Sequence, residues 1–304
     1  MRNSIVFFSS TEFGKEILST LVDAEFEIKA VITRTDKVKN RGHKVEMTPV
    51  KKFALEKNIP VMEYDRLDEE ATKKLEEIKP DFFLVVAYGA LLSERVLAIP
   101  TIAPINIHTS ILPKLRGASP IESAIRYGET VTGVSYMKMT KGLDEGDVYK
   151  CFKIAIDENE IFDTLEAKIL KKSKETIVDV INQITLGLEP KPQVGKFTYA
   201  KKILKSDTLI DFNKPSSEVK NLINSLSTHI GAYALLGNYR YKFFSAKLTD
   251  KKLPVGKIET KDGRLFIGTA DGAIEVFELQ AQGKKRLKVE EFLRGKKIEG
   301  VLNE

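Results

Sequence analysis

The sequence predicts an α/β fold: a Rossmann-like, mostly parallel sheet domain, then a linker, then a small β domain. Three observations predict it. Through the first half, strand-like apolar runs alternate with helix-like amphipathic segments. Those runs are apolar almost throughout, as parallel strands covered on both faces must be. Beyond residue 190, short runs are separated by Gly, Asn and Asp turns such as "KDGR" and "ADGA", the signature of a sandwich or barrel.

Taken in order, "SIVFFSS" (4–10) reads as a buried strand, and 12–22 as a helix burying Ile17, Leu18, Leu21 and Val22. A second strand, 27–33, precedes a long polar, basic loop, 34–49. A short helix, 49–58, tolerates Pro49 in its first turn. Strand 59–63, helix 68–78, strand 81–89 and strand 103–108 follow. Ser119 is the expected N-cap of a helix that starts at Pro120 and runs to Tyr127. Two strands, 132–139 and 147–156, flank the turn "TKGLDEG", and a helix spans 161–187. A Pro- and Lys-rich stretch, 189–207, reads as a linker, before one helix (215–226) and five short strands.

The totals exclude several classes. No run approaches the ~20 apolar residues that span a bilayer, and the apolar stretch near the N-terminus is too short for a secretory signal. Cys151 is the single cysteine, so no internal disulfide framework or cysteine-cluster zinc site is expected. A cytoplasmic location without membrane attachment is the default expectation. The net charge is +6, unevenly spread. Residues 190–304 hold 22 Lys plus Arg against 13 Asp plus Glu, while the preceding residues are net acidic. Such asymmetry is what a polyanionic partner leaves.

The chemistry concentrates in "INIHTSILPKLRGASPI", 105–121. Asn106 and His108 lie two apart on one strand and so project to one face. They stand near its carboxyl end, where open α/β sheets hold ligands. Their N–H donors can converge on one developing oxyanion. A carboxylate from the turn "KGLDEGD" beside that imidazole favours its protonated form and fixes its orientation. Spacing does not choose among Asp144, Glu145 and Asp147. "SSTEFGKE" after the first strand has a single glycine, so it lacks the dinucleotide fingerprint G-x-G-x-x-G.

These residues make the chain resemble the methionyl-tRNA formyltransferase family over nearly its whole length. The Asn-x-His strand followed by Ser-x-Leu-Pro-x-x-Arg-Gly-Ala-x-Pro-Ile is met from Asn106 to Ile121, and Gly-Leu-Asp-x-Gly-Asp from Gly142 to Asp147. "VVAYG" (85–89), the loop pattern of Asp36, Gly42, Pro49, Val50 and Lys51, and the endings "LQAQGKKRL" and "FLRGKKI" also agree. Two departures stand out. Ser9-Ser10-Thr11 replaces Gly-Thr-Pro, with Thr11 the expected N-cap, and "STHIGAYALL" lacks the family's prolines near His229.

The resemblance implies a catalytic domain over 1–189, a linker over 190–206 and an OB-like β-barrel that binds tRNA over 207–304. It implies 10-formyltetrahydrofolate as formyl donor, methionyl-initiator tRNA as acceptor and no metal. Asn106, His108 and Asp144 would be catalytic. Ser110, Ile111, Leu112 and Pro113, with Val86, Tyr88 and Gly89, would contact the folate. Arg41, Lys37, Lys39 and Lys44 would contact tRNA. Related formyltransferases share the catalytic trio, so a sugar amine is the alternative acceptor. The basic loop 34–49, the linker and the basic last domain favour tRNA.

Overall fold

The computed structural model describes residues 3–38, 45–227 and 230–303. It divides into two compact units. The first holds Met1–Ala118, Gly133–Ile154 and Lys168–Tyr199; the second holds Ser119–Thr132, Ala155–Ala167 and Ala200–Glu304.

In the chain up to Ala118 come β1 (Ser4–Phe8), α1 (Glu12–Asp23), β2 (Glu27–Thr33), β3 (Lys37–Val38), β4 (Val45–Glu46), α2 (Pro49–Glu56), β5 (Val61–Glu63), α3 (Glu69–Ile78), β6 (Phe82–Val85), α4 (Glu94–Leu97), β7 (Ala103–His108) and β8 (Arg116–Gly117). After α5 (Pro120–Arg126) follow β9 (Val131–Lys138), β10 (Val148–Ala155), α6 (Phe162–Thr185) and β11 (Tyr199–Ala200). The main sheet has the order β10-β9-β7-β6-β1-β2-β5. Strands β1, β2, β5, β6 and β7 are parallel, and β9 runs antiparallel to β7. The mostly parallel sheet is thus observed. All five residues of β1 are buried, because helices cover a parallel sheet on both faces.

Local chemistry explains the element ends. Thr11 is the N-cap of α1, its hydroxyl accepting from the Gly14 amide at 3.1 Å. The departure at Ser9-Ser10-Thr11 therefore keeps a capped helix start. Ile17, Leu18 and Leu21 are fully buried, each contributing roughly 1.5–3 kcal/mol of apolar burial.

Three expectations need correction. The 81–89 strand stops at Val85, because Ala87 and Gly89 take left-handed φ values of 47° and 73°, which a strand cannot contain. The 34–49 loop contains a hairpin of β3 and β4; alternating Lys37-Val38 and Val45-Glu46 were too short a signal to read. Ser119 stands at the N-cap position of α5 but makes no side-chain cap. Its hydroxyl donates instead to the Lys201 carbonyl.

The second unit contains α7 (Ser216–Ser225), β12 (Ala232–Leu236), β13 (Tyr239–Thr249), β14 (Ile258–Lys261), β15 (Arg264–Gly268), β16 (Ala273–Ala281), β17 (Leu287–Lys288) and α8 (Val289–Gly295). Its antiparallel sheet runs β12-β13-β16-β15-β14, with β17 on β16. The edge strands β12 and β14 are joined by residues 300–303. The Leu302 amide donates to Gly256 O at 2.9 Å, Ile258 N–H to Gly300 O at 3.0 Å, and Asn303 N–H to Leu235 O at 2.7 Å. The sheet is closed into a barrel through this segment. Phe243, Leu265, Ile267, Ile274 and Leu279 fill its core, all fully buried.

Candidate active site

The site forms where β6 and β7 end. Val85 is paired with Asn106 across the sheet, so the segment after β6 begins beside the end of β7. The alternation of β7 sends Asn106 and His108 to one face, and both meet Asp144. Asn106 Nδ2 lies 3.4 Å from Asp144 Oδ1, and His108 Nδ1 lies 3.6 Å from Asp144 Oδ2. His108 Nε2 is 2.9 Å from the Leu115 carbonyl. Both ring nitrogens therefore face oxygen atoms, Nε2 at hydrogen-bond distance. The Gly117 amide donates to Asp144 Oδ2 at 2.8 Å. Of the three acids in the turn, Asp144 is the one that faces inward.

The turn itself is shaped by backbone demands. Asp144 has φ 52°, in the left-handed region that aspartate tolerates better than most residues. Gly146 is obligatory, since a Cβ there would lie 1.7 Å from the Lys138 carbonyl oxygen. The repeated glycines of Gly142-Leu-Asp-Glu-Gly146 thus allow a tight return from β9 toward β10.

Sequence reasoning missed Gln193. Its Nε2 donates to Asp144 O at 2.9 Å and to Gly146 O at 2.7 Å. Its Oε1 accepts from Arg116 Nε at 3.1 Å and Nη2 at 2.8 Å. Arg116 Nη1 also approaches Glu145 Oε1 at 3.6 Å. Gln193, in a stretch read as part of a linker, thereby clamps the turn that carries Asp144. No spacing rule signals a single glutamine in a Pro-Lys-rich stretch.

The expected folate residues fall in two groups. Ser110 and Leu112 are buried, and the Leu112–Pro113 peptide is cis. Ser110 Oγ donates to Lys114 O at 2.6 Å, the Leu112 amide to Ser135 Oγ at 3.3 Å, and Ser135 Oγ to Ser110 O at 2.7 Å. Ile111 is half-buried. This loop is a fixed wall, not a loose connection. Beside β6, Val86 is buried, its amide bonded to Phe8 O at 2.9 Å. Tyr88 is buried and donates to Tyr64 O at 2.9 Å; burial pushes its phenol up to about 12. Gly89 is exposed. Arg34, also missed, holds this segment: its Nε donates to Tyr88 O at 3.1 Å and its Nη2 to Gly89 O.

The expected tRNA contacts Lys39, Arg41 and Lys44 lie outside the described residues, as do Gly42 and His229, and of Lys37 only the backbone, in β3, is described. Nearby, Asp36 and Lys51 of α2 pair directly, and Lys51 Nζ reaches Glu63 Oε2 at 2.8 Å. Among the described residues, no His/Cys/Asp/Glu group could hold a metal, and no helix is long and apolar enough to cross a membrane.

An imidazole, an amide and a carboxylate thus meet at the carboxyl end of a parallel strand, in a chain that belongs to the formyl transferases. The family profile described as "Formyl transferase" matches residues 2–181, and that described as "Formyl transferase, C-terminal domain" matches 202–297. More narrowly, the chain belongs to the methionyl-tRNA formyltransferase family. It is 39% identical over 300 residues to methionyl-tRNA formyltransferase of Thermotoga sp. (strain RQ2), covering 97% of this chain and 96% of the relative. It is 37% identical over 308 residues to that of Clostridium tetani (strain Massachusetts / E88), covering 99% of each. The solved structure of WlaRD, a sugar 3N-formyl transferase, matches with a TM-score of 0.66 at 20% identity, over 94% of this chain and 99% of that one. At that identity the likeness concerns the fold.

Proposed function

We propose that the chain transfers the formyl group of 10-formyltetrahydrofolate to the α-amino group of methionine carried by initiator tRNA. The full-length likeness to methionyl-tRNA formyltransferases sets the acceptor. The single observation that supports the chemistry is the convergence of Asn106, His108 and the Gly117 amide on Asp144.

In this reading the amine adds to the formyl carbon while negative charge grows on the formyl oxygen. Asn106 Nδ2 and the His108 imidazolium donate to that oxygen; one such donor is typically worth ~100–1000-fold in rate. As substrate binds, Asn106 exchanges its contact with Asp144 Oδ1, and His108 Nε2 its contact with Leu115 O, for the formyl oxygen. Asp144 keeps the imidazolium oriented and helps pass the amine proton toward the departing folate nitrogen. Ser110 to Pro113, Val86, Tyr88 and Gly89 form the folate wall, the last three through backbone groups. Lys37, Lys39, Arg41 and Lys44 meet tRNA phosphates and set affinity and salt dependence. Residues 1–189 act as the catalytic domain and 207–304 as a tRNA-binding barrel, joined over 190–206, in the cytoplasm and without a resident metal.

The test is transfer of labelled formyl to methionine-charged initiator tRNA, with charged elongator tRNA as control. Turnover on an amino sugar with none on charged tRNA would replace this acceptor by the alternative.

A further inference from the structure

The segment that clamps the catalytic turn also carries exposed apolar side chains. Phe197 is 52% exposed, Tyr199 45% and Val194 86%. Isolated exposed apolar residues are common on protein surfaces, but these are organised. The Phe197 and Tyr199 rings meet edge-on, centroids 5.5 Å apart. The Arg116 guanidinium carbon sits 5.2 Å from the Phe197 centroid. Arg116 is itself 11% exposed and held by Gln193 and Glu145, so the cation is fixed before anything binds. Between Glu189 and Asp207 the chain has five lysines and no acid.

Paired aromatic rings, a guanidinium and a lysine-rich, acid-free segment are what binds unpaired nucleic acid. Bases stack on ring faces regardless of identity, and cations attract the backbone. We propose that Phe197 and Tyr199, backed by Arg116, are a stacking platform for the unpaired bases at the aminoacylated 3′ end of the tRNA. The proposal rests on the function proposed above and adds the surface that guides its acceptor. Position argues for this occupant. Arg116 bonds Gln193, whose amide bonds the carbonyls of Asp144 and Gly146. A methionyl amine at Asn106, His108 and Asp144 therefore brings the nucleotide that carries it next to these rings. A stacked base also leaves the ester-linked amino acid short of rotational freedom, which favours attack.

The test compares the full-length protein with the Phe197→Leu/Tyr199→Leu double variant and with Phe197→Trp, which keeps a stacking ring. The double variant is expected to raise KM for charged initiator tRNA by about 5- to 150-fold, the range for one lost base stack, with KM for 10-formyltetrahydrofolate unchanged. Phe197→Trp should leave the KM for tRNA near that of the unsubstituted protein. An unchanged tRNA KM in the double variant overturns the platform. So does a rise confined to the folate KM, which would make the rings part of the folate site.

A second measurement does not depend on turnover. The chain has no tryptophan, so Phe197→Trp introduces a unique fluorophore. Hexaadenylate should quench it saturably, and should not quench the exposed Tyr127→Trp control. Quenching equal in both, or in neither, overturns the platform. If the unsubstituted protein formylates no charged tRNA, the function proposed above falls, and the hexaadenylate titration still decides the platform alone.

Discussion

The ends of β7 and β6 sit side by side, yet they are built differently. At β7 the working groups are side chains: Asn106 and His108 meet the Asp144 carboxylate. At β6 they are backbone groups: the Tyr88 and Gly89 carbonyls, held by Arg34, on a segment that turns through left-handed Ala87 and Gly89. The first end is suited to developing and moving charge. The second is suited to presenting donors and acceptors to the edge of a flat ring. On the proposed function, this difference would make the reaction and the recognition of its donor separable, although the two ends are one hydrogen bond ladder apart.

Substitutions can sharpen or break that separation. The largest effect belongs to the β7 end. His108→Ala should lower single-turnover formyl transfer by ~100–1000-fold while folate affinity changes little; a rate within threefold of the unsubstituted protein would remove His108 from the chemistry. Gln193→Ala acts one step further out. Losing two bonds to the turn carbonyls, at about 1 kcal/mol each, should cost kcat on the order of 10-fold. KM for folate should hold steady, as titration of each substrate in turn will show. At the β6 end, Arg34→Ala should raise KM for 10-formyltetrahydrofolate several-fold, with the single-turnover rate at saturation retained. Should that rate fall as far as in the His108 variant, the two ends are not separable. The smallest effect is Tyr88→Phe. It removes the bond to Tyr64 O and should lower stability by ~1 kcal/mol, read from the denaturant midpoint, with kinetics unaltered.

The same contrast explains what the sequence disclosed. Asn106 and His108 are two residues apart, and the period of a strand alone puts them on one face. Gly146 was readable as a tight turn. Which acid faced inward was not, because that depends on Asp144 meeting the Gly117 amide 27 positions earlier in the chain. Gln193 lies 49 positions from Asp144, and Arg34 is 55 from Gly89. Contacts of that separation follow from topology, which no local pattern encodes. The parallel strands were legible because continuous burial leaves continuous apolar runs. The β3–β4 hairpin was not, because two residues per strand carry no periodicity. Within the second unit the short strands and their Gly, Asn and Asp turns announced a sandwich or barrel, while the residues that bridge its edges, 300–303, resemble no strand.

That closure has a practical consequence. Residues 300–303 cap the open hydrogen-bonding edges of β12 and β14. Deleting them would expose the edge of β14 and the Leu235 end of β12, whose Tyr233 stays paired with Ile210, and bare edges recruit strands from neighbouring molecules. These four residues thus shield edges that could pair with another copy, and deleting them should yield soluble aggregates in size-exclusion chromatography where the unaltered sequence does not.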